Sequence, residues 1–133
     1  MTLEEKAAHY EKMIDDRHLR HAFVSSCRIL APGNISTSQT ADTDNDGLWT
    51  AMYLAAQAYR YAVTGSEDAL QKARRSMRAL VRLEEITGIP GFFARSFKSV
   101  NEPPPEGGEW HPTPDGKWLW KGDTSSDEAV DKQ

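Results

Sequence analysis

The sequence predicts a mainly α fold, in which a helical hairpin is accompanied by short β-strands and a β-hairpin. Two segments, at about 47–63 and 67–87, place apolar residues at helical spacing. A Thr-Gly-Ser break separates them at residues 64–66. After Pro90 the helical period is lost, and short apolar runs between turn residues take its place.

The chain begins with a predicted helix and continues into a predicted strand. Thr2 and Glu5 have the spacing of a capping box, in which each side chain satisfies an unpaired backbone amide. Apolar residues then recur at helical spacing up to Ile14. Residues 22–30 are short and apolar-leaning and predict a strand. Residues 31–45 are polar without a helical stripe, and we expect a loop there.

The predicted helical hairpin has two different helices. Between Gly47 and Val63 the only formal charge is Arg60, and apolar residues cover most of the circumference. Such a helix requires burial on several sides. We therefore expect either self-association or a missing remainder of a larger domain. The helix at 67–87 has one apolar stripe and a charged remainder, with Gly65 and Ser66 suited to the turn between the two.

The last third of the chain predicts short β-structure and the start of a further helix. Residues 92–97 are apolar enough for a strand, and the Pro-Asp-Gly turn at 114–116 predicts a hairpin at about 109–121. Ser125 and Glu128 fit a second capping box. Because this helix starts close to Gln133, residues 1–133 are expected to be a single domain or a fragment of a larger one.

The composition excludes several function classes. The chain has 133 residues and a formal net charge of −4, which is unusual for a nucleic-acid-binding domain. A single cysteine, Cys27, rules out an internal disulfide framework or a cysteine zinc cluster. No apolar run is long enough for a transmembrane helix, and the amino terminus does not look like a signal peptide. We expect a soluble chain without nucleic-acid or membrane partners, in a compartment that the sequence does not indicate.

An acidic motif precedes the second helix. Asp42, Asp44 and Asp46 alternate before Gly47, a spacing that lets carboxylates converge on calcium. A complete calcium loop would need a glutamate where Tyr53 stands. Two other interpretations remain open. The acidic residues complement the positive end of the helix, or Asp46 points into a binding cavity as a catalytic group.

Aromatic residues surround the predicted hairpin turn. Trp110, Trp118 and Trp120 offer flat faces on which sugar rings stack, while nearby carboxylates and arginines bind the hydroxyls. Packing within the hairpin explains the same residues, because Trp118 and Trp120 share one strand face. Asp123 and Asp127 follow, and paired carboxylates suit general acid–base cleavage of glycosides. The alternative for this acidic segment is helix capping.

Three segments resemble the six-hairpin α/α-toroid superfamily, in a bacterial branch. They are residues 45–57 (NDGLWTAMYLAAQ), 83–92 (LEEITGIPGF) and 118–128 (WLWKGDTSSDE). The resemblance implies an incomplete α/α toroid and a site lining its cavity, since related toroids are glycoside hydrolases and polysaccharide lyases. By this resemblance Asp46 and Asp127 lie where inner helices begin, and Arg95 could meet an acidic sugar.

The expected function is therefore that of a fragment of a carbohydrate-active protein, inactive in isolation, with a glycan as its partner. The candidate catalytic residues are Asp46, Asp123 and Asp127. The candidate substrate-binding residues are Arg95, Trp110, Trp118 and Trp120. The alternative is a non-enzymatic helical interaction module, stabilised by calcium at Asp42, Asp44 and Asp46. No other cofactor is expected.

Overall fold

A computed structural model describes residues 1–123 of the chain. Within these residues, helices account for 43% and strands, in three small antiparallel sheets, for 21%. The fold is therefore mixed α/β, and the predicted mainly α class is wrong. The helices were expected where they occur. The difference comes from strands in segments whose polar side chains gave no strand signal.

The first helix, α1 (Leu3–Arg17), confirms the predicted capping box between Thr2 and Glu5. None of its residues is buried. Polar contacts attach it to the rest of the molecule instead: Lys72 Nζ lies 3.0 Å from both Glu11 Oε2 and Asp15 Oδ2. Its position thus depends on these ion pairs, together with the partly buried side chains of Met13 and Ile14.

Two tiny strands follow, β1 (Leu19–Arg20) and β2 (Phe23–Val24), joined by a two-residue turn. Both turn residues have positive φ, 51° at His21 and 69° at Ala22. Tight hairpins need this geometry, but it is unfavourable for any residue with a Cβ. Packing compensates for the strain, because Phe23 is completely buried and Ala22 lies against the same core cluster.

A second hairpin occupies the segment that the sequence predicted as a loop. It consists of β3 (Cys27–Ala31) and β4 (Asn34–Thr40), paired antiparallel. Pro32 and Gly33 form its turn, with Gly33 at φ 76°. Residues 34–40 carry polar side chains on both faces and most are exposed, so the alternation that reveals a half-buried strand is missing. The loop prediction for residues 31–45 is therefore wrong over 34–40.

The helical hairpin is confirmed as α2 (Asp46–Thr64) and α3 (Glu67–Glu85). Gly65 adopts a left-handed conformation, and the Ser66 side chain accepts a hydrogen bond from the Ala69 amide, as the sequence predicted. The buried residues of α2 are mostly polar, among them Asp46, Thr50 and Gln57. Apart from the buried Tyr53, its large apolar side chains are partly or largely exposed.

A three-stranded antiparallel sheet closes the described part of the chain. Its strands are β5 (Phe97–Ser99), β6 (Trp110–Pro112) and β7 (Trp118–Lys121), in the order β5-β7-β6. The predicted hairpin at 109–121 is confirmed as β6–β7. The strand predicted at 92–97 is displaced and begins only at Phe97, because residues 92–96 form the connection that follows α3.

The core lies between α3 and the three-stranded sheet. It contains these buried residues: Phe23, Ala79, Leu80, Leu83, Ala94, Phe97 and Trp120. The two faces of the sheet differ in polarity. Phe97 and Trp120 pair on the face that packs on the core, while Lys98 and Lys121 lie on the opposite face. Across residues 1–123, none of the helices has the length and apolar content needed to cross a membrane.

Candidate functional site

Asp46 is the centre of a buried polar cluster. It is the first residue of α2 and has no exposed surface. Its Oδ1 accepts hydrogen bonds from Ser25 Oγ at 2.7 Å and from Thr43 Oγ1 at 2.9 Å. Its Oδ2 accepts from Arg20 Nη2 at 2.9 Å and from Ser96 Oγ at 2.6 Å. Both carboxylate oxygens are thus occupied within the fold.

The cluster extends from Arg20 towards the surface through Glu102. Arg20 Nη1 lies 3.1 Å from Glu102 Oε1, and His21 Nε2 lies 2.8 Å from Glu102 Oε2. Burial alone would raise the pKa of Glu102. Hydrogen bonds from His21 and from the Ser99 amide, together with the charge of Arg20, nevertheless hold that pKa below its ordinary value. This chain of contacts fixes the strained turn at residues 21–22 to the loop after β5.

The other two aspartates of the acidic motif form ion pairs with lysine residues of the three-stranded sheet. Asp42 Oδ1 lies 2.9 Å from Lys98 Nζ. Asp44 forms an ion pair with Lys121, and its backbone oxygen accepts a hydrogen bond from Arg95 Nε at 2.8 Å. The hydrogen bond from Lys121 is the main cause that lowers the pKa of Asp44. The acidic loop therefore docks onto the basic face of the sheet.

The three aspartates predicted as calcium ligands consequently point to three different basic partners. Arg20, Lys98 and Lys121 each neutralise one of them. In the part of the chain that the structure describes, no group of three or more acidic, histidine or cysteine side chains could hold a metal ion. Calcium binding at this motif would require these ion pairs to break.

The structure separates the three tryptophans of the predicted sugar site. Trp120 is 8% exposed and packs against Phe92 and His111, with ring centroids 6.1 and 4.5 Å away. Trp110 lies on the opposite face, where the ammonium groups of Lys98 and Lys121 approach its ring to 5.5 and 5.9 Å. Trp118 lines a cleft together with Arg82 and Asp115.

Arg95 and Asp123 hold loops together. Besides its bond to Asp44, Arg95 approaches the Asp123 backbone oxygen, with Nη1 at 3.4 Å. The Asp123 carboxylate accepts a hydrogen bond from the Glu109 amide at 2.7 Å. These contacts connect the ends of the β6–β7 hairpin to the acidic loop. Asp127, the third predicted catalytic residue, lies outside the described residues.

The cleft beside Trp118 has a volume of about 400 Å³. It is lined by Arg82, Glu85, Ile86, Thr113, Pro114, Asp115 and Trp118. The guanidinium carbon of Arg82 lies 4.7 Å from the centroid of the Phe97 ring and 4.9 Å from that of Trp118. Two aromatic rings thereby fix the position of this cation at the cleft wall.

Polar groups of different charge meet in this cleft. Within residues 1–123 the Arg82 side chain makes no hydrogen bond or ion pair. Asp115 accepts hydrogen bonds from Thr113 Oγ1 at 2.6 Å and from the Lys117 amide at 3.0 Å, which lower its pKa and keep it ionised. The cleft thus presents an aromatic ring, an unpaired guanidinium and carboxylates, a set that can stack on and hydrogen-bond a polyhydroxylated ring.

Sequence reasoning included Trp118 but missed Arg82. The sequence places Arg82 among the basic residues of a solvent-facing helix, and nothing local distinguishes it from Arg78 one turn earlier. It also missed Arg20, Ser25 and Ser96 as the partners of Asp46. These residues meet only through the tertiary fold.

Comparison with known proteins adds no assignment. The chain matched no protein-family model, and searches of curated proteins and of solved structures returned no match. The toroid resemblance and the catalytic and binding roles therefore stay predictions from the sequence.

Proposed function

We propose that this chain binds a glycan and that one sugar ring occupies the cleft beside Trp118. The observation that carries the proposal is that an aromatic ring, a fixed guanidinium and two acidic residues line one cleft. A sugar ring has apolar C–H faces that pack on indole, while its hydroxyls need hydrogen-bond donors and acceptors at the rim, and charged ones bind them more strongly. Arg82 supplies the donors, and Glu85 and Asp115 supply the acceptors.

The proposed activity of residues 1–123 is binding rather than hydrolysis. A general acid or base must come within hydrogen-bond distance of the proton that it transfers. Asp46 is fully buried with both oxygens engaged, and Asp123 holds the Glu109 amide. These two aspartates therefore stabilise the fold. The proposed role, glycan binding, needs no acid–base chemistry at either residue.

The experiment is a titration of the chain with neutral oligosaccharides and, separately, with an oligogalacturonate. Binding is monitored through the amide chemical shifts in NMR spectra. We expect saturable shifts around Trp118 and Asp115. Arg82→Gln should weaken binding about tenfold, because it removes charge-assisted hydrogen bonds. Arg78→Gln, an exposed arginine on the same helix that does not line the cleft, is the matched control and should bind as the unchanged chain does.

Two outcomes would contradict the proposal. The first is that no saccharide causes saturable shifts. The second is that Arg82→Gln and Arg78→Gln bind alike. Asp115→Asn provides an independent test, since Asp115 is exposed and its replacement leaves the core intact. A preference for oligogalacturonate would mean that Arg82 pairs with the sugar carboxylate, and a preference for neutral sugars that it binds hydroxyls.

A second candidate function, a non-enzymatic interaction module, is supported by a separate observation. The apolar side chains of α2 are exposed to 42% at Trp49 and 75% at Tyr59, far from the cleft residues in sequence. Exposed apolar rows of this kind are typical of docking surfaces. Association measurements on the intact chain test this candidate without reference to sugars.

A further inference from the structure

The outward face of α2 carries an apolar row with the spacing of a coiled-coil seam. The row, called here the α2 seam, contains Trp49, Met52, Ala56, Tyr59 and Val63. Its members are separated alternately by three and four residues, the repeat that places side chains along one line of a helix. The exposed fractions of the large members are 42% for Trp49, 60% for Met52, 75% for Tyr59 and 84% for Val63.

The α2 seam is distinct from the side of α2 that packs on its own chain. Ala51 and Leu54 contact the core cluster, and a buried polar row that begins at Asp46 and continues to Gln57 faces the polar contacts of the fold. At 100° per residue, the α2 seam lies on the opposite side of the helix from Leu54. The helix therefore has two apolar sides, and its own chain uses one of them.

We propose that the α2 seam pairs with the α2 seam of a second copy of this chain, with the two helices antiparallel. Ala56 is the central member of the row, and larger side chains occupy both ends. A twofold axis near Ala56 brings Trp49 of each copy towards Val63 of the other, and the small central residue permits close approach of the helices. Residues of the row meet residues of the same row, so the surface is complementary to itself.

Charge and area also favour a second copy as the occupant. The α2 seam has no formal charge, so twofold symmetry brings no like charges together. Arg60, the one charged residue in the sequence between Trp49 and Val63, pairs with Asp68 at 3.0 Å within its own chain. Pairing would bury on the order of 1,000 Å² in total, at the lower end of specific interfaces, so a weak dimer is expected.

The first test is sedimentation equilibrium of the full chain between about 1 and 500 µM, a range wide enough to detect a weak dimer. The unchanged chain should follow a monomer–dimer equilibrium. Met52→Lys should raise the Kd at least about tenfold, because it places a charge in the seam. Met77→Lys is the matched control, since Met77 is 51% exposed but lies on α3, and it should associate normally.

The proposal is overturned if the unchanged chain stays monomeric over this range, if it forms larger assemblies, or if Met52→Lys and Met77→Lys change the Kd equally. Circular dichroism confirms that both variants are folded. Because neither methionine lines the cleft beside Trp118, sugar binding and dimerisation can fail independently of each other.

A second test determines the orientation of the two helices. Cys27→Ser removes the native thiol, and Ala56→Cys or Val63→Cys then introduces one thiol per copy. In the antiparallel arrangement Ala56→Cys forms an intermolecular disulfide readily, whereas Val63→Cys does not. A disulfide at both positions would indicate parallel helices and overturn the proposed geometry, and so would a disulfide at neither.

Discussion

Arg20 Nη2 lies 2.9 Å from Asp46 Oδ2, and the two side chains are exposed to only 5% and 0%. The pair joins β1 to the first residue of α2, and hydroxyl groups of Ser25, Thr43 and Ser96 complete the surroundings of the carboxylate. A buried ion pair of this kind adds little net stability over an apolar pair, but either charge alone is costly. The pair therefore fixes how the first hairpin meets the helical hairpin.

Removal of Arg20 should destabilise the protein strongly. In Arg20→Met the methionine fills much of the space, but Asp46 keeps a buried charge without its counter-ion. We expect the free energy of unfolding to fall by about 3–5 kcal/mol, measured by urea unfolding at pH 7. Arg28→Met, at an exposed position in β3, should change it by less than about 0.5 kcal/mol.

Asp46→Asn in the Arg20→Met background should recover part of the loss, because a neutral amide needs no counter-charge. Its oxygen can still accept from Ser25 and Thr43, while its NH2 group can donate to Ser96 Oγ. A loss below about 1 kcal/mol for Arg20→Met alone would mean that this ion pair does not fix how the first hairpin meets the helical hairpin.

Glu102 should contribute stability that disappears in acid. Its pKa in the folded protein lies below the ordinary value of 4.5, so the unfolded chain binds a proton more readily as the pH falls. The contribution is complete above that value and is lost as the pH falls through the lowered pKa. We expect Glu102→Gln to be less stable at pH 7 and to depend less on pH below 4.5.

Urea unfolding between pH 7 and pH 3 measures this dependence. The matched control is Glu106→Gln, an exposed glutamate of the same loop, which should retain the full acid dependence. Identical pH profiles for Glu102→Gln and the unchanged chain would contradict the prediction.

Local patterns were sufficient to predict the helices. The capping box of α1, the left-handed Gly65 and the Ser66 cap act within a few residues, so the sequence reveals them directly. The hairpin at β6–β7 was likewise predictable from its turn. β4 was not, because neither of its faces is apolar, and its pairing with β3 depends on backbone hydrogen bonds and on the turn at Pro32 and Gly33.

The candidate sites depended on contacts that no local pattern encodes. Arg20, Ser25 and Ser96 stand 26, 21 and 50 residues from Asp46 along the chain, so the sequence identified the aspartate without its partners. For the same reason, the alternating aspartates suggested a calcium site. Lys98 and Lys121, which neutralise two of them, lie on a sheet that is distant in sequence. Trp118 was predictable as an aromatic candidate, but its distinction from Trp120 depends on burial.

Calcium should leave the stability unchanged. A ligand that binds only the folded state must raise its melting temperature, and Asp42, Asp44 and Asp46 already have basic partners. We therefore expect the melting temperature with millimolar calcium to stay within about 1 °C of its value with chelator. A rise of several degrees that Asp44→Asn abolishes would instead support the calcium hypothesis.

Tyr53 should make the protein sensitive to alkaline pH. Burial, assisted by the negative charge of Glu11, raises the pKa of Tyr53 from its ordinary value of 10.0 to about 12, and its hydroxyl donates a hydrogen bond to Glu11 Oε2 at 3.3 Å. The folded state therefore retains the phenolic proton in a range where the unfolded chain has lost it. Stability linked to this group is complete below pH 10.0 and falls as the pH approaches 12.

Tyr53→Phe cannot ionise and should remove that alkaline decline, which we expect to be on the order of 2 kcal/mol by urea unfolding between pH 9 and pH 12. Absorbance at 295 nm reports the ionisation directly, and the step near pH 12 should be missing in Tyr53→Phe. Tyr10→Phe, on the exposed surface of α1, is the control and should keep both the step and the decline. If Tyr53→Phe retains the decline, another group between α1 and the helical hairpin causes it, and Lys72, which pairs with Glu11 and Asp15, is the first to examine.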